Sequence, residues 1–183
     1  MTNPSPQQAA DQAMKLFKDD EFEQAADLFQ LAANQYQQSG EFLLAAEAHN
    51  NQSVALLQAG KSEEALAAAL GTEIVFFEAG DSLRQAQALG NQAAAHQAMH
   101  HLDQAEELYL KASKIFKAAN QLEFYTLVMK NVSSIRMSQR KFLDSLFAMN
   151  QALSVKTNLS LRERLIRFLS NLAFRMFNRP PSI

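Results

Sequence analysis

The chain has 183 residues, 48% of them hydrophobic, which is enough to bury the core of one domain. It contains no cysteine, which excludes disulfide bonds and thiolate metal sites. The formal net charge of −2 conceals an asymmetry, because residues 1–110 carry −12 (4 Lys and Arg, 16 Asp and Glu) and residues 111–183 carry +10 (13 and 3). The N-terminus does not resemble a secretory signal, and no apolar run approaches the ~20 residues of a membrane span. A soluble, cytoplasmic protein is expected.

Helix stops recur at a spacing of twenty residues. Gly40, Gly60 and Gly80 each follow an apolar periodic run and precede a polar restart, as expected of glycine just past a helix end. His100-His101, Asn120-Gln121 and Gln139-Arg140 continue the spacing without glycine. All four prolines lie near the chain ends, so nothing between residues 7 and 179 forces a helix to break.

This spacing predicts a series of antiparallel helical hairpins. The predicted helices are 7–18, 21–38, 42–59, 62–78, 82–99, 102–118, 122–138, 141–157 and 161–177. A capping box formed by Ser160 and Glu163 opens the last one. Gly71 and Gly90 fall inside helices, where an exposed glycine would cost ~1 kcal/mol, so both are predicted to mark close helix contacts.

An asparagine returns every forty residues and sets the register of the repeats. Asn51, Asn91 and Asn131 lie mid-helix, and small residues accompany them in fixed columns. These columns are Ser53, Ala93 and Ser133 two residues later, and Ala65, Ala105 and Ser145 fourteen residues later. Small residues at a fixed period are typical of a stacked repeat array.

With these columns the chain resembles the tetratricopeptide repeat (TPR) proteins, in the forty-residue subtype of kinesin light chains and cell-polarity adaptors. In that subtype an Asn-Leu-Gly precedes a helix-end glycine by nine residues, and here Asn51 precedes Gly60 by nine. The chain departs from the pattern, since Asn-Leu-Gly reads Asn51-Gln52-Ser53 in the second repeat. The resemblance covers residues 7–157. It implies an all-α right-handed superhelix of four helical hairpins (7–38, 42–78, 82–118 and 122–157), followed by a C-terminal capping helix at 160–178.

In such arrays the first helix of each hairpin lines a concave groove. Aligning the repeats on their asparagines shows which residues of this chain occupy the groove positions. The residues predicted to bind a partner are Asn50, Asn51, Val54, Gln58, Gln87, Asn91, Leu127, Lys130, Asn131 and Ser134. An amide both donates and accepts, so an asparagine ladder can bind the backbone of a peptide, while apolar neighbours take its side chains. The alternative is that these asparagines make hydrogen bonds between helices inside the stack. Lys18 and Lys130 are the only cations at groove positions, so a clamp for a C-terminal carboxylate is disfavoured.

The sequence offers no candidate for catalysis. Its four histidines have no carboxylate or thiolate partner at a triad or metal spacing, and no glycine-rich phosphate loop occurs. No catalytic residue, metal or cofactor is therefore predicted. The expected function is a non-catalytic adaptor or assembly scaffold that binds a peptide or helix of another protein.

The last segment differs from the repeats in being rich in arginine and phenylalanine. One stripe holds Leu161, Leu165, Phe168, Leu169, Leu172 and Met176, and Ile166, Ala173, Phe174 and Phe177 widen it. The first interpretation is a helix that caps the array. Two alternatives stay open: self-association into a homo-oligomer, by joining the −12 and +10 parts or pairing these helices, and peripheral contact with an anionic membrane. Nucleic acid is disfavoured, because aromatic and basic residues do not interleave.

Overall fold

The computed structural model describes residues 4–177, without the side chains of Phe174 and Phe177, and this part of the chain is all helical. The ten helices in it are α1 (Pro6–Lys18), α2 (Phe22–Gln38), α3 (Phe42–Gln58), α4 (Ser62–Ala69), α5 (Thr72–Glu78), α6 (Ser82–Ala98), α7 (Leu102–Ala118), α8 (Leu122–Ser138), α9 (Phe142–Ser154) and α10 (Leu161–Phe177). The predicted all-α class is confirmed. Residue 178 of the predicted capping helix lies outside the described residues, as do the side chains of Phe174 and Phe177.

The predicted helix stops share one backbone motif. A residue with positive φ follows the helix at every twentieth position, namely Asp20, Gly40, Gly60, Gly80, His100, Asn120 and Arg140. At the second turn the N–H of Gly40 donates to the carbonyl of Gln37 (3.2 Å), and the N–H of Glu41 donates to that of Tyr36 (2.8 Å). This is the Schellman arrangement, which pairs the free carbonyls of a helix end. Each turn is so short that the next helix must run back along the one before it.

The described residues divide into two compact units, the first ending at Leu108 and the second beginning at Tyr109. In the first unit α2 packs against α1 and α3, while α3, α4, α5 and α6 pack against one another. In the second unit α9 packs against both α8 and α10. Most of these contacts join helices that follow one another in the sequence, as the hairpin pattern predicts.

The small columns are the places where helices meet. Ser53, Ala65, Ala93, Ala105, Ser133 and Ser145 are all buried. Between α8 and α9 the hydroxyl of Ser133 donates to the carbonyl of Ser145 (2.9 Å), and the hydroxyl of Ser145 donates to the carbonyl of Ser133 (2.8 Å). Side chains this short allow each hydroxyl to reach the backbone of the facing helix.

The predicted helix 62–78 is wrong, because the structure divides it into α4 and α5. Leu70 is extended (ψ 129°), and Gly71 has a left-handed φ of 83° that few other residues adopt. The break frees the carbonyl of Ala69, which accepts from the hydroxyl of Thr72 (2.7 Å) and from Nε2 of Gln92 (3.0 Å) on α6. These two donors remove the penalty that an unpaired buried carbonyl would impose.

The close contacts predicted at Gly71 and Gly90 are also absent. No atom lies within 4 Å of a Cβ built on either residue. Gly71 is required by its φ, whereas Gly90 continues α6 with open space beside it. A further difference is that α9 ends at Ser154 instead of residue 157.

Candidate partner-binding surfaces

In the first unit, the predicted binding face of α3 and α6 is held together by its own polar side chains. Nδ2 of Asn91 donates to Oδ1 of Asn50 (2.9 Å), and only 8% of Asn50 is exposed. Arg84 forms an ion pair with Glu47 (2.7 Å) across the same two helices and another with Asp81 (2.8 Å). Backbone and guanidinium N–H groups of Arg84 hold the pKa of Asp81 below its usual value. The amides of Asn50 and Asn91 are thus used in part within the fold.

The other predicted residues of this unit differ in accessibility. Gln58 is exposed, while Asn51, Val54 and Gln87 are half-buried. The asparagine register therefore identifies residues of one helical face, but it does not identify equally accessible ones.

In the second unit, α8 presents a more open face. Leu127, Lys130 and Ser134 are all exposed, and Met137 one turn further along is also exposed. Asn131 lies half-buried among them and forms a hydrogen bond with the Tyr109 phenol. Burial raises the pKa of Tyr109 to about 12, and the bond from Asn131 acts in the opposite direction. Three of the four predicted residues on α8 are consequently available to a partner.

The break between α4 and α5 opens a cleft that sequence reasoning missed. Its volume is about 300 Å³, and its walls are Gln37, Phe42, Ala45, Ala46, His49, Leu70, Gly71, Thr72 and Val75. Nδ1 of His49 lies 3.2 Å from Oε1 of Gln52. The positions equivalent to His49 in the next two repeats are Leu89 and Met129, both buried. A polar residue in an apolar column, together with a glycine inside a helix, was the available signal for this cleft.

Helix α10 packs on α9, the second helix of the last predicted hairpin. The side of α10 that meets α9 includes Ser170, which is buried, and Ile166, which is half-buried. Nδ2 of Asn150 donates to Oδ1 of Asn171 (3.1 Å), and Lys156 pairs with Glu163 (2.8 Å). The apolar stripe from Leu161 to Met176 instead faces solvent, with 45% to 84% of each side chain exposed.

The predicted capping box at the start of α10 is confirmed. The N–H of Ser160 donates to the Glu163 carboxylate (2.9 Å), and the N–H of Glu163 donates to the Ser160 hydroxyl (3.3 Å). The hydrogen bond from Lys156, followed by the Ser160 N–H, lowers the pKa of Glu163 to about 2. Glu163 is thus ionised at neutral pH and holds the start of α10 beside the end of α9.

The histidines and acidic groups do not converge on a reactive centre in residues 4–177. The rings of His96 and His101 lie 5.7 Å apart, and burial followed by the proximity of His101 lowers the pKa of His96. No group of three or more potential metal ligands occurs in this range. Nor does any helix in it combine the length and hydropathy needed to cross a bilayer.

The described residues therefore offer four surfaces: the bonded face of α3 and α6, the open face of α8, the cleft beside α5 and the apolar stripe of α10. No protein-family model matches the chain, and no curated protein matches it significantly.

Proposed function

We propose that this chain is a tetratricopeptide-type repeat protein that acts as a non-catalytic adaptor or scaffold. It would bind a peptide or helix of another protein on the face formed by the first helix of each hairpin. The forty-residue columns and the all-helical fold with packed neighbouring helices support this proposal. The right-handed superhelix, the cytoplasmic location and the concave position of this face are parts of the proposal.

The observation that carries the proposal is the exposed face of α8. Leu127 and Met137 are 56% and 47% exposed, and Lys130 and Ser134 are exposed beside them. Exposed apolar side chains next to hydrogen-bonding groups favour a peptide that contributes both apolar side chains and backbone polar groups. Because the repeat register alone selected Leu127, Lys130 and Ser134, their accessibility supports the transferred binding face.

The asparagines contribute less to this binding than the apolar residues of α8 do. The bond between Asn50 and Asn91 uses the amide nitrogen of Asn91 but not its oxygen. Asn131 similarly combines a bond to Tyr109 with a half-exposed position between Leu127 and Ser134. The amides therefore orient the face, and the apolar residues of α8 supply most of the contact with the partner.

A matched pair of charge substitutions tests the proposal. Leu127→Asp introduces a carboxylate on the α8 face, whereas Phe142→Asp introduces one on α9 at a position of equal exposure (57%). Affinity capture from cells that express the chain, followed by quantitative mass spectrometry, should show a partner retained by the wild type and the Phe142→Asp variant. Leu127→Asp should reduce its recovery at least about tenfold, as for loss of a binding hot spot. Equal recovery with both variants would exclude the α8 face.

A further inference from the structure

The exposed face of α10 is built like an amphipathic docking helix. Its six apolar residues, from Leu161 to Met176, fall on one side at 100° per residue. Arg162 borders this stripe on one side, and Arg164 and Arg175 border it on the other; all three are exposed. The opposite side of α10 rests on α9, so the stripe can be covered without displacing the helix.

The first unit contains a second uncovered apolar surface. Phe42 and Leu70 both line the cleft, and they are 62% and 60% exposed. The corresponding positions are Ser82 and Leu110 one repeat later, and Leu122 and Asn150 two repeats later. Of these three hairpins, the second is therefore the one in which both positions are apolar.

The charges of the two surfaces are complementary. The sequence that forms the first unit carries 16 acidic residues against 4 Lys and Arg. Glu41 is exposed and precedes Phe42, whereas the Glu73 carboxylate accepts a hydrogen bond from Gln92 on α6. No Lys or Arg is among the described residues that line the cleft. Two of the unit's four cations, Lys61 and Arg84, already form ion pairs. An apolar stripe bordered by arginines therefore matches this surface in both hydropathy and sign.

We propose that α10 of one copy docks on the cleft surface of a second copy. The apolar stripe would cover Phe42 and Leu70, and its bordering arginines would face Glu41, the exposed carboxylate next to Phe42 in the sequence. The two surfaces are different, so the contact is heterologous, and each copy keeps one surface of each kind for further copies. This inference is independent of the partner proposed for α8, because it uses neither Leu127 nor Met137.

Sedimentation velocity of the full chain tests for this association. The expected mass rises with concentration in dilute salt and falls as salt increases from about 0.05 M to about 0.5 M, because exposed opposite charges are screened. Leu70→Asp on the cleft and Phe168→Asp on α10 should each lower the association constant at least about tenfold. Phe142→Asp, at a position of similar exposure on α9, serves as the control and should associate like the wild type.

Mixing the two impaired variants identifies the pairing. The Leu70→Asp variant retains an intact α10, and the Phe168→Asp variant retains an intact cleft, so an equimolar mixture should form a one-to-one complex that neither forms alone. A chain that stays monomeric at every concentration and salt overturns the proposal. So does a Leu70→Asp variant that still associates fully, since that result means that two α10 helices pair with each other.

A lipid surface is the competing occupant of the stripe. Wild-type chain is therefore also centrifuged with vesicles of phosphatidylserine and, separately, of phosphatidylcholine. Retention on the anionic vesicles alone, lost in the Phe168→Asp variant and accompanied by a monomer in solution, would assign α10 to the membrane and overturn docking between copies.

Discussion

At the scale of single residues, two equivalent serines have opposite hydrogen-bond states. The hydroxyl of Ser53 is buried without a partner, whereas the hydroxyl of Ser133 donates to the carbonyl of Ser145. The repeat thus keeps a small residue at this position, but the hydrogen bonding of that residue differs between Ser53 and Ser133. The residue that faces Ser53 in the repeat register is Ala65, which has no hydroxyl to pair with.

Replacing these serines with alanine should change stability in opposite directions. Ser53→Ala removes a buried unpaired hydroxyl and should raise the free energy of unfolding by roughly 1 kcal/mol. Ser133→Ala removes a bonded hydroxyl and should lower it by about 0.5–1.5 kcal/mol. Thermal and urea unfolding of the two variants measures both changes. Destabilisation by Ser53→Ala would show that its hydroxyl has a partner in solution.

The bond between Asn50 and Asn91 makes a second prediction. Asn91→Ala leaves the buried oxygen of Asn50 without a donor, which should cost about 1–3 kcal/mol of unfolding free energy. In a double-mutant cycle with Asn50→Ala, the two substitutions should therefore be less than additive, because the second removes the unpaired group. Additive losses measured by urea unfolding would mean that the bond contributes nothing, and both amides would then be free for a partner.

The sequence identifies these residues but not their bonds. A forty-residue period shows that Asn51, Asn91 and Asn131 share a register, and small columns show where helices approach. Which atom reaches which depends on how far one helix is displaced along its neighbour. Asn91 consequently bonds Asn50, one residue away from the Asn51 that shares its column, and no periodic pattern expresses that offset.

At the scale of the elements, the turns between helices carry measurable strain. His100 and Arg140 adopt the same positive φ as Gly60 and Gly80 at equivalent turns. This conformation costs a residue with a Cβ about 1–2 kcal/mol of steric energy in the folded state. Glycine avoids that cost, but it loses more conformational entropy on folding, which offsets part of the difference. The three turns with glycine and the four without it therefore have the same backbone geometry, but they differ in conformational free energy.

Substituting glycine into the strained turns should stabilise the protein. His100→Gly and Arg140→Gly should each raise the free energy of unfolding by roughly 0.5–1 kcal/mol. Asn120→Gly is the control and should gain less, since asparagine tolerates the left-handed region better. Gly60→Ala should lose about 1 kcal/mol although the space around it is open. Urea unfolding tests the series, and equal effects at all four positions would contradict this explanation.

Two glycines within predicted helices show that helix boundaries cannot be predicted from the local sequence alone. Gly71 ends a helix and Gly90 does not, although both interrupt an otherwise helical pattern. The break at Gly71 is stabilised by Gln92, which pairs the freed carbonyl of Ala69 from a different helix. Local propensity contains no information about that distant donor, so the break and the cleft beside it depend on tertiary packing.

At the scale of the whole molecule, sequence charge and hydropathy predict which surfaces are unusual but not which way they face. The stripe of α10 has the spacing of a buried helical face, and the cap interpretation buries it. The structure buries the opposite side of α10, where Ser170 faces α9, and exposes the stripe. Residue spacing identifies the apolar side of a helix. Whether that side is buried or exposed depends on how the helix packs against its neighbour.

Truncation of the chain after residue 159 separates these two roles for α10. If α10 is mainly a docking helix, its removal loses the contact with α9 and the Lys156–Glu163 pair without unfolding α8 and α9. The melting temperature followed by circular dichroism should then fall by no more than about 4 °C, which corresponds to roughly 1 kcal/mol for a chain of this size. Hydrogen exchange in α8 and α9 should remain slow, while association between copies disappears. The full-length Phe168→Asp variant is the control and should melt like the wild type, since Phe168 is exposed. A cooperative loss of protection throughout α8 and α9 would instead identify α10 as the cap of the second unit.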